Sequence, residues 1–222
     1  MKGYLFNSLL VVAGSLFGLF AGRTITESTK EAVFNMLGLV TCFVGIKMAL
    51  AGSDIIPIVF CLALGTFAGS TARLEDRVRA LLDTLNMRVL SGKHTIEGFI
   101  TASTLFCVGS MTIIGSLKDG LFQDGTLIRT KSVMDGFAAL MLTSRYGASV
   151  AFSAITVFII QGALTIFSHH LTFLTAPRMM NNIDGAGGLI VLAIGLNLLQ
   201  LKQIKTIDML PGLVLIVLYG LW

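Results

Sequence analysis

The sequence predicts an all-α protein, a polytopic bundle of membrane-crossing helices. Three observations carry that expectation. The 222 residues are 55% hydrophobic and only 13% charged, against about 25% charged in an ordinary soluble domain. Mean hydropathy is +0.86, and a core built from a chain of this length could not hide so much apolar surface, so most of it must face lipid or another membrane helix. Apolar runs long enough to cross a bilayer recur along the chain, with the charges gathered between them.

A transmembrane helix needs roughly 17–25 mostly apolar residues. On that criterion spans are expected near 4–22, 32–51, 54–70, 96–117, 130–146, 148–168, 185–200 and 205–222, about eight in all, forming a single transmembrane domain over 1–222. The first segment has one lysine, glycines within its apolar run and no clear small-residue cleavage site, so it is expected to stay as a span.

Between the third and fourth spans, TARLEDRVRALLDTLNMRVLSGK is too charged to cross. Leu74, Val78, Leu81, Leu82, Leu85 and Val89 recur there at helical spacing, opposed by Glu75, Asp76, Arg77, Arg79 and Arg88. An amphipathic helix over 72–92 follows, lying on the bilayer surface or packing on a soluble partner or a second copy of the chain. Alternate loops differ in cations: Arg23, Lys30, Arg73, Arg77, Arg79, Arg88, Lys93, Arg145, Lys202 and Lys205 fall on one side, and Lys2, Lys118, Arg129 and Arg178 on the other. The richer side is expected to be cytoplasmic, which places both termini outside and the amphipathic helix on the cytoplasmic leaflet. The same bias accounts for the net charge of +4 without nucleic acid as a partner.

The chain also resembles itself. GLVTCFVGIKMAL, from Gly38, aligns without gaps to GLIVLAIGLNLLQ, from Gly188, with Lys47 opposite Asn197. Asp54-Ile55-Ile56-Pro57 then mirrors Asp208-Met209-Leu210-Pro211, and Gly14 matches Gly162. Apolar helices look alike by chance, so the paired Asp-x-x-Pro carries the comparison. Spans one to three (about 4–70) and six to eight (about 148–222) read as copies flanking a central pair over 96–146. Two spans between the copies reverse their direction, which makes an inverted repeat, the usual construction of secondary transporters and of some channels.

Polar groups inside apolar runs mark the candidate site. Lys131 and Asp135 stand one helical turn apart in TKSVMDG. Each charge at the bilayer centre costs about 2.5–3.5 kcal/mol unless paired or wetted; the alternative is an interfacial pair that snorkels and caps its helix. In TASTLFCVGSMTIIGS, Thr101, Ser103, Thr104, Ser110, Thr112 and Ser116 stud the fourth span, and Gly109-Ser110 and Gly115-Ser116 are places where a helix can break. Broken helices line wet cavities or are buried in protein, whereas small polar residues also simply permit close packing. Asn7, Lys47, Gln161 and Asn197 complete the intramembrane polar set, with Lys47 near enough to its helix end to snorkel. Substrate- or ion-binding residues are therefore expected among Asn7, Lys47, Thr101, Ser103, Ser110, Ser116, Lys131, Asp135, Gln161 and Asn197. Gly14, Gly18 and Gly22 on the first span, and Gly65 and Gly69 on the third, form GxxxG surfaces for close helix approach, either between subunits of a homo-oligomer or within the chain.

Other chemistry is not signalled. Cys42, Cys61 and Cys107 lie in separate apolar runs without metal-ligand spacing, adjacent His169 and His170 point about 100° apart on a helix, and His94 sits in a charged loop. There is no P-loop, GxSxG, HExxH or intramembrane His-Asp cluster, so neither an enzyme nor a metal or other cofactor is expected.

The segments EGFITASTLFCVGSMTIIGSLKDGL, TKSVMDG, QGALT and GLNLL resemble the YdfK/YqgA-like bacterial integral-membrane family, domain of unknown function 554. The resemblance runs nearly end to end and is most specific from Glu97 to Gly136. It implies a bacterial inner-membrane protein and leaves room for a transport role, without assigning substrate or site residues. The expected function is a small secondary transporter or permease for a small ion or polar metabolite, binding at mid-membrane between the repeats, with membrane lipid as its surroundings. An ion channel and a non-transporting scaffold or regulator are the alternatives.

Overall fold

A computed structural model describes residues 2–24, 26–84 and 95–220. Regular structure among them is helical: α1 (Gly3–Thr24), α2 (Glu27–Ala49), α3 (Ile55–Thr71), α4 (Leu74–Thr84), α5 (Thr95–Cys107), α6 (Ser110–Phe122), α7 (Thr126–Tyr146), α8 (Ser149–Ile166), α9 (Pro177–Leu198) and α10 (Leu210–Tyr219). Short 3₁₀ turns occupy Ser168–His170, Thr172–Thr175 and Ile207–Met209.

By length and composition, 4 helices among the described residues can cross a membrane: α1, α2, α8 and α9. The number rises to 6 if the bent pairs α3–α4 and α5–α6 are each one span. The other two expected spans fall short for different reasons: α7 carries Arg129, Lys131, Asp135 and Arg145, and α10 is only 10 residues long. The seventh expected span belongs to a longer helix that starts at Pro177, whose fixed φ and missing N–H suit a first helical position. Of the two candidate breaks in the fourth span, the first is real. α5 and α6 meet at 58°, and Gly109 has φ +125, far from the small left-handed region that side chains tolerate. Gly115-Ser116 lies within continuous α6, where Gly115 is packed against Ile128.

The amphipathic segment is helical over Leu74–Thr84, while residues 85–92 of that expectation, with Arg88, Lys93 and His94, lie outside the described residues. Its faces differ from the expected ones. Glu75, assigned to the polar face, is buried, and Leu81 is 59% exposed. The reason is hydrogen bonding: Glu75 accepts from Arg79 at 2.8 and 3.2 Å and from the Ile207 amide at 3.4 Å. Its own amide donates to Asp208 Oδ1 at 2.9 Å, which satisfies a helix-start N–H.

Packing divides the chain into two compact units that interleave in sequence. The first comprises Met1–Leu37, Met87–Cys107 and Met111–Thr172. In it Gly14, Gly18 and Gly22 of α1 lie against the backbone of Gly136, Leu140 and Ser144 of α7, a register in which the two helices run parallel. The Gly3 amide donates to Asp119 Oδ2 at 2.9 Å, fixing the start of α1. α8 runs antiparallel to α1, with Tyr4 edge-on to Phe158 at 5.3 Å and facing Gly162.

The second unit comprises Gly38–Asn86, Val108–Ser110 and Phe173–Trp222. Its α2 segment packs antiparallel on α9 through glycines: Gly45 against Leu192, Gly195 against Cys42, Gly38 against Leu199 and Gly188 against Ala49. α3 packs antiparallel on α10, with Gly65 against Gly212 and Gly69 against Asp208. Every GxxxG glycine singled out in the sequence thus faces a helix of its own chain.

Asp54, before α3, fastens the start of α9 by accepting from Arg178 Nε at 2.7 Å and Asn182 Nδ2 at 2.8 Å. The Arg178 hydrogen bond foremost, then that of Asn182, holds its carboxyl below the usual carboxylate range. A carboxyl with a lowered folded pKa contributes stability above its unfolded value, near pH 4, and loses it as pH falls through the folded value. Acidification through that window is expected to lower the melting temperature of the wild type, and Asp54→Asn to melt lower at neutral pH with a flatter acid limb. Parallel acid limbs in the two proteins would remove this role.

Candidate functional site

The charged pair of α7 organises the interior of the first unit. Lys131 and Asp135 are each 7% exposed, and the ammonium is turned inward: Lys131 Nζ donates to Asp135 Oδ2 at 2.6 Å and to the Phe106 carbonyl at 2.8 Å. That carbonyl is available because α5 stops at Cys107, removing the amide that another helical turn would supply. Thr112, just beyond the break, also donates its hydroxyl to Phe106 O at 3.0 Å. The break, the lysine and the carboxylate therefore form one assembly.

α1 and α8 complete it. Asn7 Nδ2 donates to Asp135 Oδ2 at 2.9 Å and to Gln161 Oε1 at 3.1 Å. The carboxylate is a pure acceptor, so it fixes which end of the Asn7 amide faces it, and the second bond in turn orients Gln161. Both amides are fully buried. Their remaining ends, Asn7 Oδ1 and Gln161 Nε2, have no hydrogen-bond partner, and neither do the buried hydroxyls of Ser116 and Thr165. A buried polar atom without a partner costs about 1–3 kcal/mol. The network thus pairs its charges but leaves one amide acceptor and one amide donor open.

Of the residues expected at the site, Asn7, Lys131, Asp135 and Gln161 come together. Ser116 is buried without a partner in the same unit. Ser103 is bonded to Thr156 at 3.2 Å, and Thr101 is buried beside the Tyr146 hydroxyl, so both stitch α5 to its neighbours. The side chain of Ser110 lies outside the described residues. In the second unit Lys47 is exposed, and Asn197 closes the loop after α9 through two 2.8 Å bonds to the Ile204 backbone. The Phe106 carbonyl and Thr112 were not among the expected site residues. Thr112 stands among the polar residues that stud the fourth span, but for the carbonyl the hint is the Gly109-Ser110 break, because a freed carbonyl has no residue type of its own.

These features define a helical membrane protein with a buried, hydrogen-bonded ion pair. Residues 2–221 match the family described as "Protein of unknown function (DUF554)", and the chain belongs to that family. It is 30% identical over 220 residues to "Uncharacterized membrane protein YdfK" of Bacillus subtilis (strain 168), covering 97% of this chain and 93% of the relative. It is 27% identical over 219 residues to "Uncharacterized protein YqgA" of Escherichia coli (strain K12), covering 96% and 93%. No solved structure matches the chain.

Proposed function

We propose that the protein is a secondary transporter or permease of the bacterial inner membrane, moving a small ion or polar metabolite past the Asn7–Lys131–Asp135–Gln161 network. The observation that carries this reading is the unfinished network. A purely structural fastening gains by closing every hydrogen bond, whereas an acceptor and a donor held open beside a paired carboxylate suit a polar visitor.

Eight crossings and an inverted repeat belong to the same proposal. Parallel α1 and α7 require an odd number of crossings between them, and α2 with both bent pairs makes three. The repeat is supported by reciprocity: with Gly38 aligned to Gly188, the contact of Gly45 with Leu192 exchanges for that of Gly195 with Cys42, and Gly38 with Leu199 for Gly188 with Ala49. Such exchange is the mark of a two-fold relation. Cation-rich loops inside and both termini outside complete the topology.

The test is electrical. Proteoliposomes on a solid-supported membrane are challenged in turn with alkali cations, amino acids and small carboxylates. Wild type is expected to give transient currents with at least one probe, and Asp135→Asn, eluting like wild type on gel filtration, to lose them. Undiminished currents in Asp135→Asn would remove the site, and unitary currents in planar bilayers would make the protein a channel. Tight burial of the pair favours a second reading, a non-transporting scaffold, which predicts silence with every probe.

A further inference from the structure

We infer that the Lys131 ammonium is a tethered stand-in for an alkali metal cation, filling a monovalent cation site built from the Asp135 carboxylate and the carbonyl freed at the α5–α6 break.

The ligands argue for it. Nζ lies 2.6 Å from Asp135 Oδ2 and 2.8 Å from Phe106 O, so a single positive charge is held between one carboxylate and one unwound-helix carbonyl. Unwound-helix carbonyls coordinate sodium in broken membrane helices, and a carboxylate adds a hard oxygen ligand of opposite charge. Further oxygens stand around the same groups: Thr112 Oγ1 bonds Phe106 O, and Asn7, held on Asp135 Oδ2, keeps its own Oδ1 unpartnered. The ammonium gives its hydrogen bonds to Asp135 Oδ2 and Phe106 O, so the buried Asn7 acceptor is left for a further donor or a cation.

Charge fixes the class of ion. One carboxylate is neutralised by one positive charge, and among the described residues no group of three or more His, Cys, Asp or Glu side chains could hold a metal. A divalent ion would leave uncompensated charge in an apolar interior, which is heavily penalised. Sodium, or a similar monovalent ion, fits once the lysine is removed. The wild-type chain then needs no free metal cation at this position. As a statement about binding this stands apart from transport; only its corollary, that movement past the site needs no second, co-bound sodium or potassium between Asp135 and Phe106, rests on the transporter reading.

The experiment reads binding, so its outcome is separable from that of the flux assay. Purified protein is melted at about pH 8, far above the ordinary carboxylate range, in sodium or in choline at equal ionic strength. Wild type is expected to melt identically in both. Lys131→Ala is expected to melt higher in sodium by about 4 °C at a concentration well above its dissociation constant, and Lys131→Ala/Asp135→Asn to lose that difference. A Lys131→Ala recovered folded in sodium but not in choline supports the inference equally. A sodium shift in wild type, or none in Lys131→Ala, overturns it. If Lys131→Ala does not fold in either salt, Lys131→Ser, which returns one oxygen to the site, is read the same way. Failure of both variants in both salts also overturns the inference, because no free cation then replaces the tethered one.

Discussion

Lys131→Met with Asp135 retained is expected to lose about 3–5 kcal/mol of stability when measured without alkali cations. The loss arises because Asp135 stays buried with only Asn7 to meet its charge. Methionine matches the aliphatic stem of lysine, so packing changes little and the loss reports on charge. Lys131→Met/Asp135→Leu is expected to regain most of it, since replacing both members of a buried pair by apolar residues is often neutral or stabilising. Full recovery is prevented by the Phe106 carbonyl, which keeps Thr112 but loses its ammonium donor, and by Asn7, which loses its carboxylate. Denaturant titration of the two single variants and the double variant measures the coupling directly. If the losses simply add, the two side chains do not form one unit, and the network has no claim to be the centre of the protein. If the double variant is stable but electrically silent, the pair is kept for function at a cost in stability.

The residue types of this network were legible in the sequence, but their assembly was not. Lys131 and Asp135 stand out because two charges in an apolar run need a reason, and their spacing already places them on one face of α7. Asn7 and Gln161 stand out for the same reason singly. Nothing local says that α1 and α8 deliver them to the same carboxylate, because that depends on which helices pack, and lipid-facing and helix-facing apolar residues read alike. The same blindness made Lys47 and Asn197 seem equivalent partners. One is exposed, and the other serves the backbone of the adjoining loop. Gly109-Ser110 was legible as a break and Gly115-Ser116 looked identical to it. What separates them is tertiary: Ile128 packs on Gly115 within an unbroken helix, whereas Gly109 adopts a φ that only glycine accepts easily. The expected polar face of α4 failed at Glu75 because its partners Arg79 and Ile207 lie four and more than a hundred positions away, and periodicity sees only the first.

Gly14→Ala is expected to cost about 1–3 kcal/mol, the usual penalty for overpacking a tight interface. A methyl at Gly14 would run into the Gly136 carbonyl, which belongs to the backbone of α7 and cannot swing away as a side chain would. Gly162 of α8, which aligns with Gly14 in sequence, supplies the control. Its methyl would stand 3.5 Å from the Tyr4 ring, an ordinary contact, so Gly162→Ala is expected to be neutral or mildly stabilising, given that alanine is favoured over glycine in a helix by about 0.8–1 kcal/mol. The consequence for the site follows from geometry. Asn7 lies about 10 Å along α1 from Gly14 at 1.5 Å per residue, and its bond to Asp135 exists only while α1 and α7 keep their present separation. Gly14→Ala is therefore expected to weaken both stability and any Asp135-dependent current, whereas Gly162→Ala leaves both near wild type. A Gly14→Ala protein as stable as wild type but without current would show that α1 positions Asn7 more than it holds the bundle together. Equal tolerance at both glycines, in stability and current alike, would mean that the close approach of α1 to α7 is not what presents the amide to the carboxylate.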